Sequence, residues 1–245
     1  MKRQMSMKRW CIFILGLTFT VAANAGPTEA EVGDPDSFGR NVVYLGLAQT
    51  ATVNLQEDCT PDPNDPPPPQ DRCVTLNPQP AATSFNMDNL DTMQLPAAAT
   101  KSLLCFTLSP SATFSFNNLT GVRQPNARFT ARALITIENE VLNDPTLIDP
   151  ATGLPYGGRM TLSIGAYTES RSIEADERVQ QTFLFSRDCV GGLVSKSSLI
   201  FSGLSSVQAT LFFVKPMKLT FGSQGTVQIV DFASYFYGIR LYGDH

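Results

Sequence analysis

Histidine is nearly missing from this chain: the one imidazole belongs to His245, the last residue. Ser-His-Asp and Cys-His catalysis, and histidine-ligated zinc, iron or copper, go with it, because each needs an imidazole held on a rigid element. Tryptophan is as scarce, with Trp10 alone. Charged residues make up only 16% of the 245, too few for a coiled coil or long-helix protein. Basic residues are outnumbered, 18 Lys and Arg against 22 Asp and Glu, which excludes a phosphate-tracking surface and a nucleic-acid partner. No G-x-S-x-G, S-x-x-K, Walker A or G-x-G-x-x-G sequence occurs, and no C-x-x-C. No 20–50-residue repeat is visible.

Against these absences stands a 42% hydrophobic content, enough for one large core and too apolar for a disordered chain. Part of it is an address. Met1–Ala25 reads as a secretory signal peptide: Lys2, Arg3, Lys8 and Arg9 form the positive end, Cys11–Ala23 the apolar run, and Ala23-Asn24-Ala25 the small-x-small cleavage pattern. The run is about 13 residues, short of the roughly 20 that cross a bilayer as a helix. The mature chain is therefore expected to be Gly26–His245, without a membrane span. It would carry a net charge of −8 and lie in the periplasm or outside the cell, the signal being bacterial in type.

An exported chain with four remaining cysteines is expected to hold disulfides. The expected pairs are Cys59–Cys73, closing the proline-rich loop CTPDPNDPPPPQDRC, and Cys105–Cys189, joining distant strands. Zinc is the alternative, disfavoured by the spacing. Gly26–Arg40 is a polar, turn-rich arm, and 41–245 is expected to form a single domain.

Period-two patterns dominate that domain. Strands are expected at Asn41–Gln56 (broken at Gly46), Arg128–Leu142, Arg159–Arg171, Val179–Asp188, Val194–Phe201, Met217–Phe221, Thr226–Val230 and Ser234–Tyr242. Ser102–Leu108 and Ala112–Asn117 flank Ser109-Pro110-Ser111 as a hairpin. In Arg159–Arg171, Met160, Leu162, Ile164 and Ala166 would face inward, and Thr161, Ser163, Tyr167 and Glu169 outward. One helix interrupts: Ser205-x-x-Gln208 is a capping box, Val207, Leu211 and Val214 follow at helical spacing, and Pro216 stops the run. A strand through residues 208–214 is the competing reading. About ten strands without β–α alternation predict an all-β, antiparallel two-sheet sandwich or jelly-roll-like domain with one short helix, stabilised by disulfides. A membrane barrel is the rival architecture.

Chemistry is sparse. Glu138 and Glu140, two apart on an expected strand, would share a face with Cα atoms roughly 6.6 Å apart. That spacing approaches the carboxyl separations of glycosidases, about 5–9.5 Å, but also suits any solvated strand face. A carboxylate hydrolase is the weakest candidate function, and no enzyme activity is expected. Calcium is the one cofactor left open, at Asp58, Asp62, Asp65 and Asp71 around the cysteine loop. Tyr235, Tyr237 and Tyr242 on the C-terminal strand could form a platform for a small ligand or glycan. Asn118-Leu119-Thr120 is a glycosylation sequon. The favoured expectation is a non-catalytic structural or protein-interaction module, acting through the Cys59–Cys73 and Asn143–Arg159 loops or through strand exchange by Gly26–Gln56. Its partners would be another protein or further copies of itself.

Overall fold

A computed structural model describes residues 42–61, 64, 72–107, 111–184 and 193–244. The signal peptide, the arm, Asp62, Asp65, Asp71 and Cys189 lie outside the described residues.

Two sheets face each other. The larger contains β1 (Val42–Gln56), β2 (Arg72–Thr75), β4 (Ser102–Thr107), β5 (Ser111–Asn117), β8 (Arg178–Leu184) and β10 (Val230–Asp244). Its order is β2-β1-β10-β5-β8, with β4 also on β10. The smaller has the order β3-β9-β6-β7, from β3 (Thr83–Leu95), β9 (Met217–Gln228), β6 (Gln124–Asn139) and β7 (Arg159–Ile173). All pairings are antiparallel except that of β1 with β2. The β-sandwich expected from the sequence is the observed fold.

Its core follows from alternation. On β6, Phe129, Ala131, Ala133, Ile135 and Ile137 are buried, while Arg128, Arg132 and Glu138 are exposed. Phe129 meets Phe114 of β5 ring to ring across the sandwich, centroids 4.5 Å apart and planes 3° from parallel. The chain crosses between sheets at Ile229, a β-branched residue held at φ 58° with its side chain buried. Such a conformation costs about 1–3 kcal/mol and persists only where the surroundings enforce it. Asn117 donates its backbone N–H to the Ile229 carbonyl at 3.1 Å.

Several local expectations change. β4 and β5 do not pair with each other as the expected hairpin. β4 pairs with residues 239–244 of β10 and β5 with residues 230–235, so the two follow one another along the same edge, in the same direction. Val194–Phe201 is not a strand: Lys196–Phe201 forms a helix, α1, capped by Ser195. The hydroxyls of Ser195 and Ser198 each take up the other residue's backbone N–H, and local capping overrides the β-branched and aromatic composition. Met217–Phe221 and Thr226–Gln228 fuse into β9, running through Gly222 and Gly225, while Val230 opens β10.

On β7 the inward set changes partway along. Ala133 pairs with Gly165 but Leu134 with Ser163, leaving Ile164 as an extra residue. A one-residue slip reverses every later side chain. Ala166 is therefore exposed, and Tyr167 turns inward to lie 6.2 Å from Phe129. The Gly46 break is a register shift between Tyr44 and Gly46.

The disulfide Cys59–Cys73 is present, with its Cα atoms 5.7 Å apart. It ties the end of β1 to its parallel neighbour β2; closing 14 residues gives roughly 3 kcal/mol by loop entropy. Cys105 lies on β4, but its pairing with Cys189 falls outside the described residues. β1 is paired with β10 from Val42 to Gln56 and with β2 at Val53–Gln56 alone, so strand exchange through it would first have to break its pairing with β10.

Candidate interaction surface

A helical cap covers one end of the sandwich. Helix α2 (Ser206–Val214) begins where the capping box placed it, with Ser205 accepting from the Gln208 N–H and the Gln208 side chain accepting from the Ser205 N–H at 2.9 Å. Its C-cap, Lys215, is followed by Pro216, which cannot continue the helix. Three polar contacts seat it. Asn139, at the end of β6, donates its side-chain amide to the Phe212 carbonyl at 2.9 Å. Gln208 donates to Asp144 at 3.0 Å. The backbone of Ala98 donates to the Val214 carbonyl at 3.2 Å. The Thr146 hydroxyl and backbone N–H both donate to Asp144 and hold its carboxyl below the usual range, keeping it an acceptor for Gln208.

The face α2 buries is Ala209, Phe212 and Phe213. Val207, Leu211 and Val214, whose spacing reveals the helix in the sequence, point away from the core: Val207 is 69% exposed, Leu211 40% and Val214 46%. The helix is thus apolar on two sides, which a surface helix ordinarily is not. Beside it, α1 buries only Leu199 and leaves Ile200 and Phe201 outside, Phe201 with 91% of its surface in water. From Lys196 to Val214 the sole charge is Lys196. Exposed apolar residues scattered singly need no explanation, but two adjoining helices that both turn apolar residues outward do.

The Asn143–Arg159 loop supports this cap. Tyr156 donates its hydroxyl to the Ser202 carbonyl at 2.9 Å, and burial raises its pKa. A bridge between Ile148 and Pro155 closes the loop on itself. Leu147 and Tyr156 are buried, whereas Ile148 and Leu154 extend the apolar exposure. The sequence offered this loop as a candidate interaction loop; the structure packs it against the helical cap through Tyr156 and Ser202.

The other sequence candidates lie elsewhere. Glu138 is the last residue but one of β6, and Glu140 opens a 3-10 turn (Glu140–Asn143) capped by Asn139, so the pair does not share a strand face. Glu138 is paired with Lys218 at 3.2 Å and Glu140 with Lys215. Each carboxylate already has a cation, which is not the arrangement of an acid and a base facing one substrate.

Tyr235 and Tyr242 are each 2% exposed and belong to the core; burial raises the Tyr235 pKa. A stacking platform needs an open ring face, and these two offer none. β10 is central in its sheet, with β1 on one side and β4 and β5 on the other, and Leu241 and Tyr242, which point to opposite faces, are both buried. Tyr237 lies on the same strand, with its side chain outside the described residues. Asp58 accepts the Thr60 N–H at 2.8 Å, and hydrogen bonds from the Thr60 side chain and backbone lower its pKa. No metal-like cluster of three acidic, cysteine or histidine groups occurs among the described residues, and no described helix is long and apolar enough to cross a membrane.

No protein-family model matches the sequence, and no curated protein is similar to it. Among solved structures, a chain from the structure of infectious bursal disease virus Gt strain is 8% identical, with a TM-score of 0.30 over 84% of this chain and 34% of its own. A chain from the Gx strain is 10% identical, with a TM-score of 0.22 over 74% and 38%. The protein spans about a third of the length of these chains, and superpositions this loose carry no inference about its role.

Proposed function

We propose that this is an exported, non-catalytic β-sandwich that acts as a structural module by self-association, through the apolar surface of α1 and α2. The observation that carries the reading is the outward stripe Val207, Leu211 and Val214, continued by Phe201. Burying such residues contributes about 25 cal/mol per Å² of apolar surface removed from water. A second copy suits this surface because the stripe is uncharged. Two such stripes related by a twofold axis bury each other without desolvating a charge. The disulfide supports an oxidising compartment, outside the cytoplasm.

Export predicts a mature N-terminus at Gly26, read by mass spectrometry of the secreted product; a product retaining Met1 in the membrane fraction would overturn it. Self-association predicts concentration-dependent sedimentation of the oxidised protein. Phe201→Ser with Leu211→Ser should weaken it at least 100-fold, since central apolar anchors are worth about 2 kcal/mol or more each. Thermal stability should hardly change, because both side chains are already exposed. A wild-type protein that stays monomeric at every concentration would sink the self-association reading.

A further inference from the structure

The outward face of the four-stranded sheet is independent of the helical cap. Three adjoining hollows run along β6 and β9. The first, about 370 Å³, lies between Arg128 and Arg132 and is shared with Thr130, Thr226 and Gln224. The second, about 490 Å³, begins at Gln224 and continues over Thr136 and Thr220 to Glu138, Lys218 and Arg159. The third, about 600 Å³, starts from those same three charged residues and ends at Asn143 and Gly158. Because neighbouring hollows share residues, they form one groove. From Arg128 to Glu138 it follows ten residues of strand, roughly 33 Å.

Two features shape the groove. β3 pairs Met87 with Ser223 and then Asp91 with Phe221, so Asp88, Asn89 and Leu90 face a single residue, Gly222. Asn89 adopts φ 60° within this bulge, and the bulge raises a wall of amide and carboxylate groups along the second hollow. A Cβ on Gly222 would lie 2.8 Å from the Met87 carbonyl oxygen, so only glycine lets the bulge come down on β9. The Thr220 hydroxyl, inside the second hollow, has no hydrogen-bond partner among the described residues.

Charge is distributed unevenly along the groove. In the middle, Lys218 is paired with Glu138. At the first hollow Arg128 and Arg132 have no ion-pair partner among the described residues, and no carboxylate lines it. Their cross-strand neighbours are Gln228 and Ser170, and Gln224 and Ala166, all uncharged. In a chain of net charge −4, two unpaired guanidinium groups on one strand face, beside hydroxyls and a planar amide, form a receptor for anionic groups. The rest of the groove offers the hydroxyl, amide and carboxylate groups that hydrogen-bond vicinal diols.

We propose that this groove binds an extended acidic polysaccharide, with Arg128 and Arg132 holding its carboxylate or sulfate groups and the stretch from Gln224 to Arg159 holding sugar hydroxyls. The test is affinity electrophoresis of the intact protein through gels containing polygalacturonate, dextran sulfate, neutral dextran or single-stranded DNA. Retardation by one or both acidic polysaccharides, and not by dextran or DNA, is expected, and which one retards identifies the anionic group. Arg128→Gln with Arg132→Gln should weaken it by at least tenfold, the loss of charge-assisted hydrogen bonds. Both residues are exposed, so an unchanged melting temperature would confirm that the variant is folded. Equal retardation of variant and wild type, equal retardation by DNA, or no retardation by either acidic polymer would overturn the proposal.

Discussion

Phe129→Ala is expected to be among the most damaging single substitutions in this protein, lowering unfolding free energy by about 3–5 kcal/mol. Phe129 and its stacking partner Phe114 are both fully buried, one on each sheet, and Phe114 meets Phe116 edge-on with centroids 5.1 Å apart. Removing the Phe129 ring takes away apolar contact and a stacked pair together. The flanking inward residues, Ala127 and Ala131, are too small to fill the space. Urea unfolding followed by circular dichroism measures the loss, and Phe129→Leu should recover more than half of it. A cost below about 1 kcal/mol for the alanine variant would mean that the sheets are not held together at this ring pair.

Asn118→Ala is the second large effect, expected to cost about 3 kcal/mol through unsatisfied polar groups and not through lost volume. The Asn118 side chain is fully buried. Its amide nitrogen lies 2.7, 3.3 and 2.9 Å from the carbonyl oxygens of Val122, Ile173 and Glu174, and its side-chain oxygen accepts from the Thr120 N–H and hydroxyl. One residue thus joins the β5–β6 connection to the end of β7. Truncation leaves the buried Ile173 carbonyl without its side-chain donor, removes the amide from the Val122 and Glu174 carbonyls and the acceptor from Thr120, with about 1–3 kcal/mol for a buried group left unsatisfied and about 1 kcal/mol for each further hydrogen bond lost. Asn118→Asp should be as harmful, because a carboxylate presents acceptors where donors are needed. Near wild-type stability of the aspartate variant would contradict this account. The sequon at Asn118 is therefore structural: a glycan on that nitrogen is incompatible with the folded chain.

What was legible in the sequence was local. The capping box at Ser205 and Gln208 marks the start of α2 because its hydrogen bonds are made within four residues. The alternation of β6 predicts its buried face because a flat stretch of strand keeps one phase against the core. β3 was not legible. Thr83–Leu95 is rich in Asn, Asp and Met, and its bulge at Asp88–Leu90 interrupts the alternation, so each half is too short and too polar to look like a strand on its own. Val207, Leu211 and Val214 gave the helix its period but not its orientation: a helix apolar on two sides has no preferred inner face until Phe212 and Phe213 find the core. The groove left no signal, since Arg128, Gln224 and Arg159 meet only through the pairing of three strands.

By itself the chain's composition and patterning determined the β-sandwich, the disulfide at Cys59–Cys73, the capped helix and the improbability of histidine chemistry. Each rests on residue type or on contacts within a few positions. Only the tertiary structure decided that β4 and β5 lie end to end on β10, that Tyr235 and Tyr242 are core, and that Glu138 and Glu140 face separate lysines. Strand order, bulge position and the side of a helix that meets the core are settled by long-range packing, where burying one apolar face excludes another.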